Sequence, residues 1–87
     1  MLEELIGQKI VVDLRSEYVC LGTLLGFDDH FLELKNADLH DLRDTDTTRE
    51  IYVIEAKQNG INRNRKRLLL VRADIVGVAR LDDVTHE

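Results

Sequence analysis

The sequence predicts an all-β domain built around a small, strongly bent antiparallel sheet that is closed or nearly closed. Apolar and β-branched segments recur at short spacing along the 87 residues, and polar or glycine-containing turns separate them. Gly22 lies inside one of these segments and Gly26 near its end, where a glycine marks a strong bend or a close backbone approach. A chain of this length forms one domain with a limited core, so we expect association to add buried surface.

The elements are predicted in the following order. Leu2–Ile6 has apolar residues at helical spacing and acids in its first turn, which predicts a short helix that ends at Gly7. Asn59-Gly60 tolerates positive φ angles and predicts a hairpin turn. The polar stretch 43–49 is expected to be an exposed loop, and residues 82–87 a fraying tail. Six segments have the composition of strands: Lys9–Leu14, Tyr18–Leu25, Phe31–Leu39, Glu50–Ala56, Lys66–Val71 and Ile75–Leu81.

The formal charge of −5 argues against a strong non-specific polyanion binder. The charges are unevenly distributed, however: eight acids lie within 28–50, whereas 57–72 holds six bases and no acid. The single cysteine, Cys20, excludes an internal disulfide and fits a buried residue in a reducing compartment. Because the chain has no membrane-length apolar run and no signal-peptide pattern at its start, we expect a cytoplasmic protein without a membrane partner.

Two short motifs resemble those of the Sm and Sm-like family. Val71-Arg72-Ala73-Asp74 is similar to the second family motif, with alanine in place of a glycine. In the first motif, Phe31 takes the place of a methionine and Leu32 that of an asparagine. The residues in register with the first motif are Gly22, Leu24, Gly26, Phe27, Asp28 and His30.

The resemblance implies a short N-terminal helix followed by a five-stranded, strongly bent antiparallel sheet that forms a small open barrel. It makes residues 1–87 one domain, divided into the helix (1–7), a first-motif region (8–39), an extended variable hairpin or loop (40–65), a second motif (66–81) and a tail (82–87). It also implies a homo-oligomeric ring, a hexamer or heptamer. In that ring, strand 66–72 would pair with strand 75–81 of a neighbour, because unpaired apolar edges invite pairing.

Family members bind single-stranded RNA at the inner rim of the ring. By resemblance, His30 stacks on a base, while Arg72 stacks on its other face or contacts the backbone. Asp74 would fix this corner, and Asp28 matches the aspartate at the start of the first turn. Leucine at position 32 lacks the amide that reads a base, so we expect reduced base specificity. The residues alone leave three alternatives open: a turn histidine at 30, an Arg72–Asp74 ion pair and a turn-capping Asp28.

A basic run follows the predicted hairpin turn. Its members Arg63, Arg65, Lys66 and Arg67 are candidates for salt-sensitive phosphate contacts. Two alternatives remain open, since the run could form a solvated tip or could pair with the acidic stretch 41–46 of a neighbouring subunit.

Nothing in the sequence has the spacing of a catalytic or metal site. The candidate metal ligands match no standard metal-binding loop, and these are Asp38, His40, Asp41, Asp44 and Asp46. We therefore expect no metal, no cofactor and no enzymatic activity. The first hypothesis is an RNA-binding ring. The alternative is a ring with a degraded RNA site that acts as a structural or protein-interaction scaffold, and a small-molecule-binding barrel has only the general fold in its favour.

Overall fold

The computed structural model describes residues 1–44 and 46–85. Residue 45 of the predicted polar loop and residues 86 and 87 of the predicted tail lie outside the described residues. Five strands and one α-helix make up the domain: β1 (Lys9–Leu14), β2 (Tyr18–Phe27), β3 (Phe31–Asp41), α1 (Arg49–Asn59), β4 (Arg65–Val71) and β5 (Ile75–Arg80). Short 3-10 turns precede, join or follow them at Leu2–Leu5, Leu42–Asp44, Arg72–Asp74 and Leu81–Asp83.

The five strands form one antiparallel sheet in the order β4-β3-β2-β1-β5. Only Arg72–Asp74 separates β4 from β5, although these strands are the two edges of the sheet. The four residue steps from the end of β4 to the start of β5 span at most about 14 Å. The edges of a flat five-stranded sheet, in contrast, lie about 19 Å apart. The sheet must therefore curl until its edges approach each other.

In the described part of the chain the two edges do not pair with each other. Among the described residues β4 pairs only with β3, and β5 only with β1. The five-stranded bent sheet with its N-terminal helical turn is as predicted, but closure into a barrel is wrong. The backbone groups on the outer sides of β4 and β5 are left without a strand partner inside the described part of the chain.

Strands β2 and β3 approach each other closely at Gly22. A Cβ atom built on Gly22 would lie 3.0 Å from Leu34 Cδ2 and 3.1 Å from the Cβ of Ala37. The pairing register of β2 and β3 shifts at the same place, because β3 contains one extra residue there. Asn36 lies in this bulge and takes a positive φ of 51°. The prediction that this glycine permits a close backbone approach is confirmed.

The bent sheet has two hydrophobic clusters, one on each face. The inner cluster is the larger and contains Cys20, as predicted for a core cysteine, together with Ile10, Val12, Leu24, Leu32, Leu34, Ala37 and Leu70. Burial raises the pKa of the Cys20 thiol to about 12, with a smaller contribution from the nearby Asp38. The opposite face of β1 and β2 is covered by α1 and the last 3-10 turn, through Val11, Val19, Leu21, Val53, Ala56 and Leu81.

The strand predicted over Glu50–Ala56 and the hairpin turn at Asn59-Gly60 are wrong. This segment is the helix α1, which begins after Thr48, whose hydroxyl accepts a 3.2 Å hydrogen bond from the Ile51 N–H. Gly60 ends it with a φ of 95°, and its N–H bonds to the Ala56 carbonyl at 2.9 Å. Packing on the sheet prevails here over the strand preference of the β-branched residues. Among the described residues no helix is long and apolar enough to cross a membrane.

Candidate nucleic-acid interface

Two turns that are distant in sequence meet at one corner of the sheet. The first lies between β2 and β3, and the second is the Arg72–Asp74 turn between β4 and β5. They come together because the start of β3 pairs with the end of β4, with Phe31 opposite Val71. The structure thus brings all four predicted RNA-binding residues into one site, which we call the corner (residues 27–31 and 72–74). They are Asp28, His30, Arg72 and Asp74.

Arg72 joins the two turns of the corner. Its backbone N–H donates to the carbonyl of His30 at 2.8 Å, and its guanidinium donates to the carbonyl of Asp28 at 2.5 Å. The guanidinium carbon also lies 5.8 Å from the centre of the Phe27 ring, within cation–π range. Among the described residues Arg72 forms no ion pair with Asp74, so the simple ion-pair alternative does not describe this arginine.

Asp28 caps the first turn. Its Oδ1 atom accepts hydrogen bonds of 2.8 Å from the backbone N–H groups of His30 and Phe31. These two bonds lower the pKa of the carboxyl, and the charges of His30 and Arg72 add to the effect. The turn-capping alternative for Asp28 is therefore confirmed.

Three aromatic side chains at the first turn of the corner are exposed, and of these the Phe27 ring lies within cation–π range of Arg72. The His30 side chain is exposed, and Phe27 and Phe31 keep 37% and 38% of their surface accessible. The two phenylalanines were not among the site residues predicted from the sequence. The available signal was their position, since two aromatic residues immediately flank a polar turn and do not belong to the alternating core pattern of Leu32 and Leu34.

Leu32 does not lie at the corner. It is 1% exposed, belongs to the inner hydrophobic cluster and lies opposite Phe27 and Leu70 in the neighbouring strands. Alternation along β3 turns Leu32 and Leu34 inward and leaves Phe31 outward. The expectation that Leu32 occupies the position of a base-reading side chain is therefore wrong, because this leucine is a core residue.

Asp74 contributes to the corner through its backbone. Its carbonyl accepts a 2.9 Å hydrogen bond from the Arg15 N–H, which ties the second turn to the end of β1. The Asp74 side chain is exposed. The second turn is thus fixed through a hydrogen bond to the backbone of Asp74 and not through the side chain. The exposed carboxylate adds negative charge to the corner.

The two open edges of the sheet expose apolar side chains. Leu69 and Val71 lie exposed on β4, and Val76 on β5 is 70% exposed. Beside β4 lies a groove of about 230 Å³, lined mostly by apolar side chains: Leu14, Ser16, Tyr18, Leu39, Leu68, Leu69, Leu70, Val71 and Asp74. Open backbone groups and exposed aliphatic side chains on the same strand are features of an edge that pairs with another strand.

The predicted phosphate contacts lie away from the corner. Arg65, Lys66 and Arg67 begin β4, whose other end reaches the corner about 20 Å away, at a rise of about 3.3 Å per residue. Arg67 pairs with Glu33 across the strands at 3.2 Å. The structure therefore separates the basic run from His30 and Arg72, and the two groups form different surfaces.

A polar cluster around the buried Asp38 attaches α1 to β3. Tyr52 donates its hydroxyl hydrogen to the carboxylate of Asp38, to which Asn64 Nδ2 also donates at 3.0 Å. The rings of Tyr52 and His40 stack 4.0 Å apart at 9°. Burial and the bond to Asp38 raise the pKa of the Tyr52 hydroxyl. In the described part of the chain no three metal-ligating side chains cluster.

Comparisons with known proteins find similarity in structure only. No family model matches the sequence, and no curated protein matches it either. An Sm-like protein of Archaeoglobus fulgidus has a TM-score of 0.62 at 21% identity, with 92% of this chain and 88% of that one covered. An Sm protein of Pyrococcus abyssii, solved in complex with a uridine heptamer, has a TM-score of 0.62 at 12% identity, with 90% and 89% covered.

The fold of this protein is therefore Sm-like: a short N-terminal helical turn followed by a five-stranded, bent antiparallel sheet. At these levels of identity the likeness establishes the fold, and function has to be argued from the site.

Proposed function

We propose that this protein forms a ring of identical subunits and binds single-stranded RNA at the corner, as a binding protein without catalytic activity. The observation that carries the proposal is the pair of hydrogen bonds by which Arg72 holds the carbonyl groups of His30 and Asp28. They fix a cation beside the exposed ring of Phe27. A positive group next to aromatic faces is the combination that single-stranded nucleic acid requires.

Each part of the corner has a chemical role in this proposal. The exposed rings of His30, Phe27 and Phe31 offer faces on which a base can stack, whatever its identity. A guanidinium has five N–H donors, so Arg72 keeps donors for a phosphate beside the one that it gives to Asp28. Because stacking and phosphate contacts are insensitive to base identity, we propose binding with little base preference.

The ring is supported by the open edges of the sheet. We propose that β4 of one subunit pairs with β5 of the next, which would cover Leu69, Val71 and Val76 and satisfy the free backbone groups. The Pyrococcus abyssii protein, whose structure contains a uridine heptamer, has the same fold and lends support to RNA as the ligand. A hexamer or a heptamer remains the prediction for ring size.

A second candidate is a ring that serves as a protein scaffold without RNA. The acidic character of the corner favours it, because Asp29 and Asp74 are exposed beside the aromatic residues and the chain has a formal charge of −5. In this candidate the carboxylates would repel phosphates, and the apolar edges would be the functional surface.

Titration with labelled oligoribonucleotides distinguishes the two candidates. Uridine-rich, adenine-rich and mixed strands are titrated by fluorescence anisotropy at low and moderate salt. The RNA proposal expects all three to bind at low salt with similar affinity, and to weaken as salt rises because phosphate contacts release counterions. Absence of binding at low salt would overturn it in favour of the scaffold.

A further inference from the structure

A basic cleft lies at the end of β4 that is remote from the corner. It has a volume of about 400 Å³ and is lined by Asn36, Arg63, Asn64, Arg65 and Lys66. Three of its five lining residues are cations, and none of them is acidic or aromatic. The cleft opens beside the bulge of β3, where Asn36 takes its positive φ of 51°.

Asn64 fixes the backbone of the basic cleft. Its N–H donates to the Ala37 carbonyl at 2.8 Å, and its Oδ1 accepts from the Leu39 N–H at 3.1 Å. Its Nδ2 group donates to the Asp38 carboxylate at 3.0 Å and to the Leu39 carbonyl at 3.2 Å. Arg63 and Arg65 flank this anchored residue, so the positions of their backbones are set before any ligand arrives.

The cations of the cleft are not neutralised by nearby acids. Asp38 is buried and bonds to Tyr52 and Asn64, while Glu33 is taken by Arg67. Within residues 1–44 and 46–85, the side chains that line the cleft form no ion pair. A bound anion would relieve this accumulation of positive charge.

We propose that the basic cleft is a second site on each subunit, which binds the phosphate backbone of single-stranded nucleic acid. This proposal rests on the proposed function, because one RNA strand would occupy both the corner and the cleft. The two sites lie about 20 Å apart along β4. With no aromatic residue in its lining, the cleft contacts phosphates and is indifferent to the bases. Guanidinium groups match the paired oxygens of a phosphate, which suits Arg63 and Arg65 to this ligand.

The test measures how affinity depends on salt. The double variant Arg63→Gln/Lys66→Gln is titrated with a labelled oligouridine and a labelled oligoadenine over a series of salt concentrations. Loss of two phosphate contacts should make the slope of log K against log salt shallower by about 1.4, equally for both strands. The control Lys9→Gln/Lys57→Gln removes the same charge outside both the cleft and the corner and should leave the slope unchanged. Thermal melting verifies that both variants are folded.

The outcomes separate this proposal from that for the corner. An unchanged slope in the cleft variant, with Arg72→Gln weakening binding, overturns the cleft alone. A shallower slope, with Arg72→Gln having no effect, supports the cleft and overturns the corner. If the cleft variant changes the mass of the assembly but not the slope, Arg63 and Lys66 contact the acidic stretch 41–46 of a neighbour, and the cleft proposal is wrong. Failure of both strands to bind wild-type protein at low salt overturns both proposals.

Discussion

The guanidinium of Arg72 donates a 2.5 Å hydrogen bond to the carbonyl oxygen of Asp28, 44 residues earlier in the chain. This bond connects the turn after β2 with the turn after β4, and the Arg72 N–H adds a second connection at the His30 carbonyl. The Asp28 carboxylate in turn holds the backbone of its own turn. The shape of the corner therefore depends on one arginine that could also contact a ligand.

The first prediction concerns the corner. Replacing His30 by alanine removes a ring on which a base can stack. The loss should weaken the free energy of RNA binding by about 1–3 kcal/mol, which is roughly fivefold to 150-fold in affinity. Replacing Arg72 by glutamine should weaken RNA binding and reduce its salt dependence, because a positive charge is lost. Anisotropy titration measures both effects. The control Lys9→Gln should bind like the wild type, and equal losses in all three variants would contradict the assignment.

The second prediction concerns the bend at Gly22. A methyl group here would press on Leu34 and on Ala37 at 3.0–3.1 Å, so Gly22→Ala should lower the free energy of unfolding by about 1–3 kcal/mol. Chemical denaturation measures this loss. Gly26→Ala is the matched control, because a Cβ there meets no atom within 4 Å. If both variants lose the same stability, the close approach of β2 and β3 is not the reason for glycine.

The third prediction concerns the attachment of α1. Tyr52→Phe keeps the ring that stacks on His40 but deprives the buried Asp38 of a donor, which should cost about 1–3 kcal/mol of unfolding free energy. The exposed Ile51→Ser on the same helix is the control, expected within about 0.5 kcal/mol of the wild type. Equal stability of Tyr52→Phe and wild type would show that the hydrogen bond does not hold the helix.

The fourth prediction is a pH dependence at Asp28. The folded protein lowers the pKa of this carboxyl, so the group contributes stability above its unfolded pKa and loses it as the pH falls through the lowered value. Asp28→Asn keeps an acceptor oxygen and removes the charge. The wild type should be the more stable of the two at about pH 7. The difference should shrink as the pH falls below about 4 and vanish once the pH lies below the lowered pKa of the folded protein. A difference that stays constant over this range would contradict the role of the charge.

The fifth prediction concerns the open edges. Val76→Glu places a charge on the outer strand β5, where we propose that a neighbour's β4 pairs. Light scattering should then find smaller particles than for the wild type, because burial of an unpaired charge is costly. Ile51→Glu, on the exposed face of α1, is the control and should leave the mass unchanged. A wild-type protein that is itself a monomer at micromolar concentration would overturn the ring.

The sheet was largely predictable from the sequence, whereas the helix was not. Four strands start where their alternating or β-branched patterns start, and Gly22 marks the bend because the close contact with Ala37 leaves no room for a side chain. The stretch Ile51–Ile54 contains three β-branched residues and a tyrosine, a composition that also favours a strand, yet it is helical. The helix forms because this segment packs on an apolar face of β1 and β2, and that face exists only once the sheet has folded.

The corner was predictable in part. The motifs identified Asp28, His30 and Arg72, but their mutual hydrogen bonds involve backbone carbonyl groups, which no side-chain pattern encodes. Leu32 was assigned to the corner by counting along the motif, although alternation along β3 carries it into the core. Motif position gives the neighbourhood of a residue, whereas the strand decides which way its side chain points.

Mapping the bound strand tests the central claim most directly. An oligonucleotide that carries photoreactive 4-thiouridine is irradiated with the wild-type protein, and the attached peptides are identified by mass spectrometry. The account predicts cross-links at the corner, on Phe27, His30 or Phe31, that disappear with unmodified competitor RNA. Cross-links confined to α1 or to β1, with none at residues 27–31 or 72–74, would contradict it.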